Sequence, residues 1–381
     1  MNNELDLSFD WVDDFEPIRS FNDDDVIGAI SELITKTDFI PLVSQHLNCT
    51  AEAITTPLSL ITTIDEFQTW VSVALIPSLS SSYHSLTVSG LNTLDKTSPY
   101  IFISNHHDII MDPLLINISL MNSSFKTAHC AIGDNLLAGK TSTLLAKLNN
   151  CFRVLRSLSS PRAMFKAMKV QSSYIAYLHF NKQQNIWIAQ KEGRSKDKVD
   201  LTNPALIKML ALARPKSTPL NRYLEALKIV PVAISYEWDP CDIDKSKQLL
   251  EEASGVSFQK SESDDLQAME KGLFGHNGRI EVSFGEPISA NEHTSLNHYD
   301  IANRVDAFIH ANSKLFPSHY VAYQTIEGQL PPDCPYNNNE LSKAKALLDE
   351  RLDNESENVM VGVYTAYAAP VKSKLGEFQA K

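Results

Sequence analysis

The chain has 381 residues and carries 34 Lys and Arg against 46 Asp and Glu, a formal net charge of −12. Apolar residues make up 43% and charged ones 21%, which excludes a mostly disordered chain, a collagen-like repeat and a long coiled coil. The acidic balance argues against a nucleic-acid partner, which needs clustered cations, and five scattered cysteines without a CxxC pair argue against a disulfide framework or a thiolate zinc site.

Taken in chain order, the first 25 residues hold nine acids and one base, Arg19, with no apolar core behind a basic end, and do not read as a signal peptide. Val26, Ile27, Ile30, Leu33 and Ile34 then share one helical face, and a second apolar segment surrounds Ile64, Phe67, Trp70, Val71 and Leu75 up to Pro77. A polar stretch at Ser80, Ser81 and Ser82 marks a boundary, dividing the chain into 1–82, 83–290 and 291–381. Beyond it, short apolar runs predict strands at 86–88, 100–103, 127–132, 152–155, 185–189, 228–234 and 279–284. Longer periodic runs predict helices at 112–121, 135–148, 161–179, 204–213, 264–271 and 299–315, and one more at 341–352 in the polar tail. Ser160-Pro161 and Asn203-Pro204 are cap-plus-proline helix starts. Alternating strands and helices predict an α/β fold, a mixed, mainly parallel sheet with helical extensions at both ends. No apolar run reaches the ~18–20 residues that span a bilayer. A cytoplasmic protein is expected, at most peripheral on the inner face of the cell membrane.

Four stretches carry chemistry. Ser104-Asn105-His106-His107-Asp108-Ile109-Ile110-Met111-Asp112-Pro113 follows an apolar strand, where α/β proteins place their ligands. A histidine accepts a hydroxyl proton, and a neighbouring Asp fixes its tautomer. Four residues separate His107 from Asp112 and five separate His106, so both histidines are candidates, as is Asp108 for the orienting acid. The plainer reading is a polar loop in which Asp112 caps the helix at Pro113. Gln190-Lys191-Glu192-Gly193-Arg194-Ser195-Lys196 joins a glycine that admits a ligand to cations that hold phosphate, or is a charged turn. Phe152-Arg153-Val154-Leu155-Arg156-Ser157 and Ile229-Val230-Pro231-Val232-Ala233-Ile234 need no function by themselves.

Their order resembles the glycerolipid acyltransferase family, which includes glycerol-3-phosphate and 1-acyl-glycerol-3-phosphate acyltransferases. That family reads Asn-His, four residues, Asp; then an aromatic-apolar stretch ending at an Arg; then Glu-Gly-(Thr)-Arg-Ser; then an apolar strand with Pro. All four appear between Ser104 and Ile234, about a third of the chain. Ala131-Ile132-Gly133-Asp134-Asn135-Leu136-Leu137 and Ser235-Tyr236-Glu237 resemble a bacterial branch of the family. The family's Asn precedes its catalytic His, which selects His106 after Asn105, whereas the four-residue spacing selects His107. The third block lacks the Thr before Arg194, and Lys191 stands where Pro is usual. The resemblance implies transfer of a fatty acyl group from acyl-CoA or acyl-acyl carrier protein to a glycerol phosphate or lysophospholipid-type hydroxyl in phospholipid synthesis. It implies His106 or His107 as base, Asp112 orienting it, and Arg156, Lys191, Glu192, Gly193, Arg194 and Ser195 around the acceptor phosphate, with no metal and no cofactor beyond the donor.

Two rival classes stand beside it. His107-Asp108 is also the dipeptide of metal-dependent His-Asp phosphohydrolases, and the same fold serves a non-catalytic lipid or carrier-protein binding module. A lipid product implies a membrane surface as partner. Residues 161–177 mix Arg162, Lys166 and Lys169 with Met164, Phe165, Met168, Ile175 and Tyr177, which suits an anionic surface, an acidic carrier protein, or packing on the sheet.

Overall fold

A computed structural model describes residues 15–74, 76–77, 82–137, 139–155, 158, 160–255, 262–290 and 296–377. Its centre is one seven-stranded sheet: β1 (Tyr83–Ser89), β2 (Ile101–Ser104), β3 (Ala128–Gly133), β4 (Cys151–Val154), β5 (Asn185–Ala189), β6 (Ile229–Tyr236) and β7 (Gly278–Phe284). The spatial order is β1-β7-β6-β2-β5-β3-β4. Neighbours are parallel except β6 and β7, so β1 and β7 run against the other five. Each predicted strand falls on one of these seven, and the architecture is the expected mixed, mainly parallel α/β sheet.

Alternation along the strands divides the core into two layers. Ile101, Ile103, Ile186, Ile188 and Ile229 point to one face, and Phe102, Trp187, Val230 and Val232 to the other. Every residue of β2 and β6 is buried, as strands covered on both faces require. Pro231 lies in the middle of the sheet, but the β7 ladder pairs β6 only from Val232 onward, so its missing N–H costs no rung there.

Helices cover both faces. Before the sheet come α1 (Asp23–Ile34), α2 (Phe39–Leu47), α3 (Ala51–Leu58) and α4 (Ile64–Ala74). They share a core with Leu144 and Leu148. Between the strands lie α5 (Met111–Asn122), α6 (Lys140–Leu148), α7 (Pro161–Ala176), α8 (Pro204–Leu210), α9 (Leu220–Ala226), α10 (Asp242–Ala253) and α11 (Glu262–Phe274). The helix expected at 135–148 is a 3₁₀ turn at Asp134–Leu137 followed by α6, and α7 continues as a π turn at Tyr177–Asn181. Both proline starts hold: Ser160 accepts from the Ala163 amide and Asn203 from the Ala205 amide.

After β7, α12 (His298–Asn312) packs on the sheet with α7 and α8. Then α13 (Pro317–Glu327), α14 (Asn338–Leu352) and α15 (Glu357–Lys374) build their own core around Tyr367 and Leu348. The outer edge of β4 is covered by the N-terminal segment, where the Arg153 amide donates to Ile18 O at 2.9 Å.

Candidate active site

Because β2, β5 and β6 are parallel, their carboxyl ends share one edge of the sheet, and the loops that leave them meet there. The β2 loop holds Asn105 to Asp108 and the β5 loop holds Lys191 to Ser195. The Gln190 amide donates to Ser104 O at 2.8 Å and the Ser195 amide to His106 O at 2.6 Å, which locks the two loops together.

The centre of the first loop is Asp112. It is the second residue of α5 and is fully buried, and its side chain folds back over the loop instead of capping at Pro113. Its Oδ2 accepts from His106 Nδ1 at 2.7 Å, from the His107 amide at 2.6 Å and from the Asp108 amide at 3.0 Å. Its Oδ1 accepts from the Tyr236 hydroxyl at 2.6 Å. Burial alone raises the pKa of such a carboxyl, but the bond and charge of His106, the charge of His107 and the Tyr236 hydroxyl outweigh it, and the net shift is downward. The carboxylate is therefore ionised at neutral pH, and Nδ1 of His106 must be its donor. Nε2 is then the acceptor, and among the described residues nothing bonds to it. The His106 side chain is 16% exposed and stands edge-on to Trp187 at 5.7 Å, with the indole fixed by its bond to Ser104 Oγ at 2.9 Å.

His107 points the other way. Its Nε2 is 2.9 Å from Asp200 Oδ2, and its ring stacks on Tyr236. Asn105 completes this knot, giving its amide hydrogens to Asp200 Oδ2 and Ile234 O and accepting the Ile234 amide, so that its side chain extends the β6 ladder. Burial pushes the Asp200 carboxyl up, but the His107 charge and these hydrogen bonds hold it well below the usual carboxylate range. The four-residue spacing thus does not describe the contact: Asp112 holds His106, and His107 is held by Asp200.

Asp108 takes the capping role, its Oδ1 accepting the Ile110 and Met111 amides at the start of α5. Burial and the neighbouring Asp112 push its carboxyl up to about 6. The space for Oδ2 exists because residue 272 of α11 is glycine; a Cβ there would lie 2.3 Å from that oxygen.

The second loop walls an open cavity of about 440 Å³ lined by Lys191, Glu192, Gly193, Arg194 and Lys196, with Lys245 and Leu249 of α10 opposite. Gly193 has φ +77°, a conformation that glycine adopts without strain. Lys191 Nζ donates to Val199 O and Lys196 pairs with Glu252 at 2.5 Å, so two of the cations are engaged within the wall. Arg194 keeps a buried Nη1 without a hydrogen-bond partner among the described residues. Ser195 is buried beside the His106 carbonyl, and Glu192 is exposed at the rim. Arg156, the remaining residue assigned to the acceptor, lies outside the described residues.

Three groups that the motifs did not single out complete the site: Asp200, Lys245 and Trp187. Lys245 Nζ donates to His107 O at 2.7 Å and to Asp239 Oδ2 at 2.6 Å. Among the described residues no group of three or more His, Cys, Asp or Glu side chains is placed to hold a metal ion. His107 and Asp108, the dipeptide of the rival hydrolase, turn to Asp200 and to the α5 backbone respectively.

Among solved structures the chain is similar to the 1-acyl-sn-glycerophosphate acyltransferase PlsC from Thermotoga maritima, at 13% identity and a TM-score of 0.36, with 76% of this chain and 96% of that one covered. No curated protein matches it. The model of the Acyltransferase family matches residues 85–235. Those residues hold both histidines, Asp112, the Gly193 loop and all of β2 to β5, and they are a domain of the acyltransferase family.

Proposed function

We propose that this protein moves a fatty acyl group from an acyl thioester, acyl-CoA or acyl-acyl carrier protein, to the hydroxyl of a glycerol phosphate or lysophospholipid-type acceptor, with His106 as the base. The observation that carries this reading is the His106–Asp112 pair, in which Asp112 fixes Nδ1 as the donor and leaves Nε2 without a hydrogen-bond partner among the described residues. The acceptor hydroxyl gives its proton to Nε2 while its oxygen attacks the thioester carbonyl. The tetrahedral intermediate collapses, the C–S bond breaks, and the imidazolium returns the proton to the departing thiolate. Asp112 stays ionised throughout, fixing the tautomer and stabilising the imidazolium. Proton transfer supplies roughly 10²–10⁴-fold, and positioning of the hydroxyl supplies more. Arg194, which lines the cavity, suits the acceptor phosphate as a charged donor.

His106→Gln tests the reading, assayed with acyl-CoA and acyl-acyl carrier protein donors against glycerol-3-phosphate and lysophosphatidic acid. A loss of at least ~10²-fold in kcat, with the melting curve unchanged, is expected. Retained transfer would remove His106 from the chemistry. His107→Gln, which breaks the bond to Asp200, is expected to lower stability before it lowers turnover.

A further inference from the structure

Helix α7 is built in two halves. Residues 171–176 are all buried, and none of residues 161–170 is. In the outer half Arg162, Phe165, Lys166 and Lys169 are exposed, and their i, i+3, i+4, i+7 spacing puts them in one outward stripe. Phe165 is 58% exposed, more than any other phenyl ring among the described residues. Among the described residues none of the three cations has an ion pair or a hydrogen bond. The stripe belongs to a longer pattern. From residue 135 to 191 the chain has nine Lys and Arg and no acid, while the rest holds 25 against 46 Asp and Glu. The position also matters: α7 leaves β4 at the carboxyl edge of the sheet, the edge from which the His106 loop leaves β2. At that edge Leu201, just before α8, is also exposed.

We propose that this stripe docks the protein on an anionic lipid surface, Phe165 entering the interface and Arg162, Lys166 and Lys169 meeting lipid phosphates. The proposal rests on the acyl-transfer reading only in supposing a lipid acceptor. A convex helix stripe with one protruding ring asks no matching shape of its partner, which a bilayer satisfies and a folded carrier protein does not. A molecule held by this stripe has the carboxyl edge of the sheet, and with it the His106 loop, on the side of the lipid.

Co-sedimentation with vesicles tests it without any turnover. Binding is expected to 3:1 phosphatidylcholine–phosphatidylglycerol and not to phosphatidylcholine alone, and to weaken with salt. Lys166→Gln with Lys169→Gln is expected to lower the partition coefficient about 30-fold, the equivalent of roughly 1 kcal/mol per charge. Phe165→Ser is expected to lower it as well, and both variants are expected to keep transfer to soluble glycerol-3-phosphate. Absence of binding to the anionic vesicles, or binding that these variants leave unchanged, overturns the proposal. So does a loss confined to turnover with the acyl-acyl carrier protein donor, which assigns the stripe to the carrier. Vesicle binding that survives His106→Gln keeps the docking surface even where the acyl-transfer reading fails.

Discussion

Asp112 is a carboxylate with four hydrogen-bond donors, three of which it takes on one oxygen. Tyr236 supplies the fourth from β6, and burial together with the Asp112 charge pushes its phenol well above its ordinary range, so it remains a donor at any working pH. Tyr236→Phe removes a bond to a charged acceptor, worth about 1.5–3 kcal/mol. The expected result is a kcat loss of roughly tenfold or more with KM for the thioester little changed, read in steady-state assays. Asp108 makes a pH prediction. Its folded carboxyl sits at about 6, above the ordinary value of 3.8, so between those two values the native state binds more protons than the unfolded one. Stability from this group therefore falls as pH rises through about 4 to 6, and the full cost stands above that window. Asp108→Asn keeps the capping oxygen and loses the buried charge. Urea melts are expected to show no gain near pH 4, a growing gain through the window, and a constant gain on the order of 1–3 kcal/mol at pH 7. A gain independent of pH would assign the effect to something other than this charge.

At the scale of elements, α11 touches the β2 loop through a glycine. Gly272→Ala puts a Cβ 2.3 Å from Asp108 Oδ2, and Asp108 cannot retreat without giving up the Ile110 and Met111 amides. Overpacking of this kind costs typically ~1–3 kcal/mol, and because the same loop carries His106, thermal stability and transfer rate are both expected to drop. Such contacts explain what the sequence displays and what it hides. The strands were legible because each is a short apolar run between polar turns, and the four motifs were legible because their order is itself a pattern. The pairing inside the first motif was not. Counting residues assumes an even loop, whereas the amides of His107 and Asp108 wrap Asp112 and turn the two histidine rings in opposite directions. Asp200 follows Ser195 by five residues in a polar loop, and only the fold brings it to His107. The helix α15 gave no clear period because it is buried on several sides and rich in alanine, with Gly362 pressed against Ser246 where a Cβ would be 2.2 Å from the hydroxyl. Its neighbour α10 begins with acids that look like surface, yet Asp242 is buried under Arg351.

At the scale of the whole molecule, one buried polar chain starts at the β2 loop and ends in the C-terminal helices. Lys245 holds His107 O and Asp239; the Asp239 amide donates to the Tyr367 hydroxyl; that hydroxyl donates to Asp242, which Arg351 grips through both oxygens. Lys198 lies over the Tyr367 ring at 3.7 Å, and burial brings its ammonium down to about 8. Lys245→Met takes from the buried Asp239 its hydrogen-bonded cation, leaving the charge of Lys198 and the Cys241 amide, and is expected to cost about 3–5 kcal/mol. Adding Asp239→Asn is expected to return part of that loss, so that the double variant is more stable than the single one in chemical denaturation. A double variant weaker than the single would mean that Asp239 is held by partners other than Lys245. The chain has a further consequence during translation. All seven strands are made before Arg351 and Tyr367, and at common elongation rates the gap lasts on the order of ten seconds. Throughout that interval the finished sheet carries Asp242 without the Arg351 that neutralises it and the Asp239 amide without the Tyr367 hydroxyl that accepts it, so the nascent protein has the β2 loop and Lys245 but not the far end of the strut. On the proposed acyl-transfer reading, full activity is expected only after two side chains outside the β2 loop have arrived.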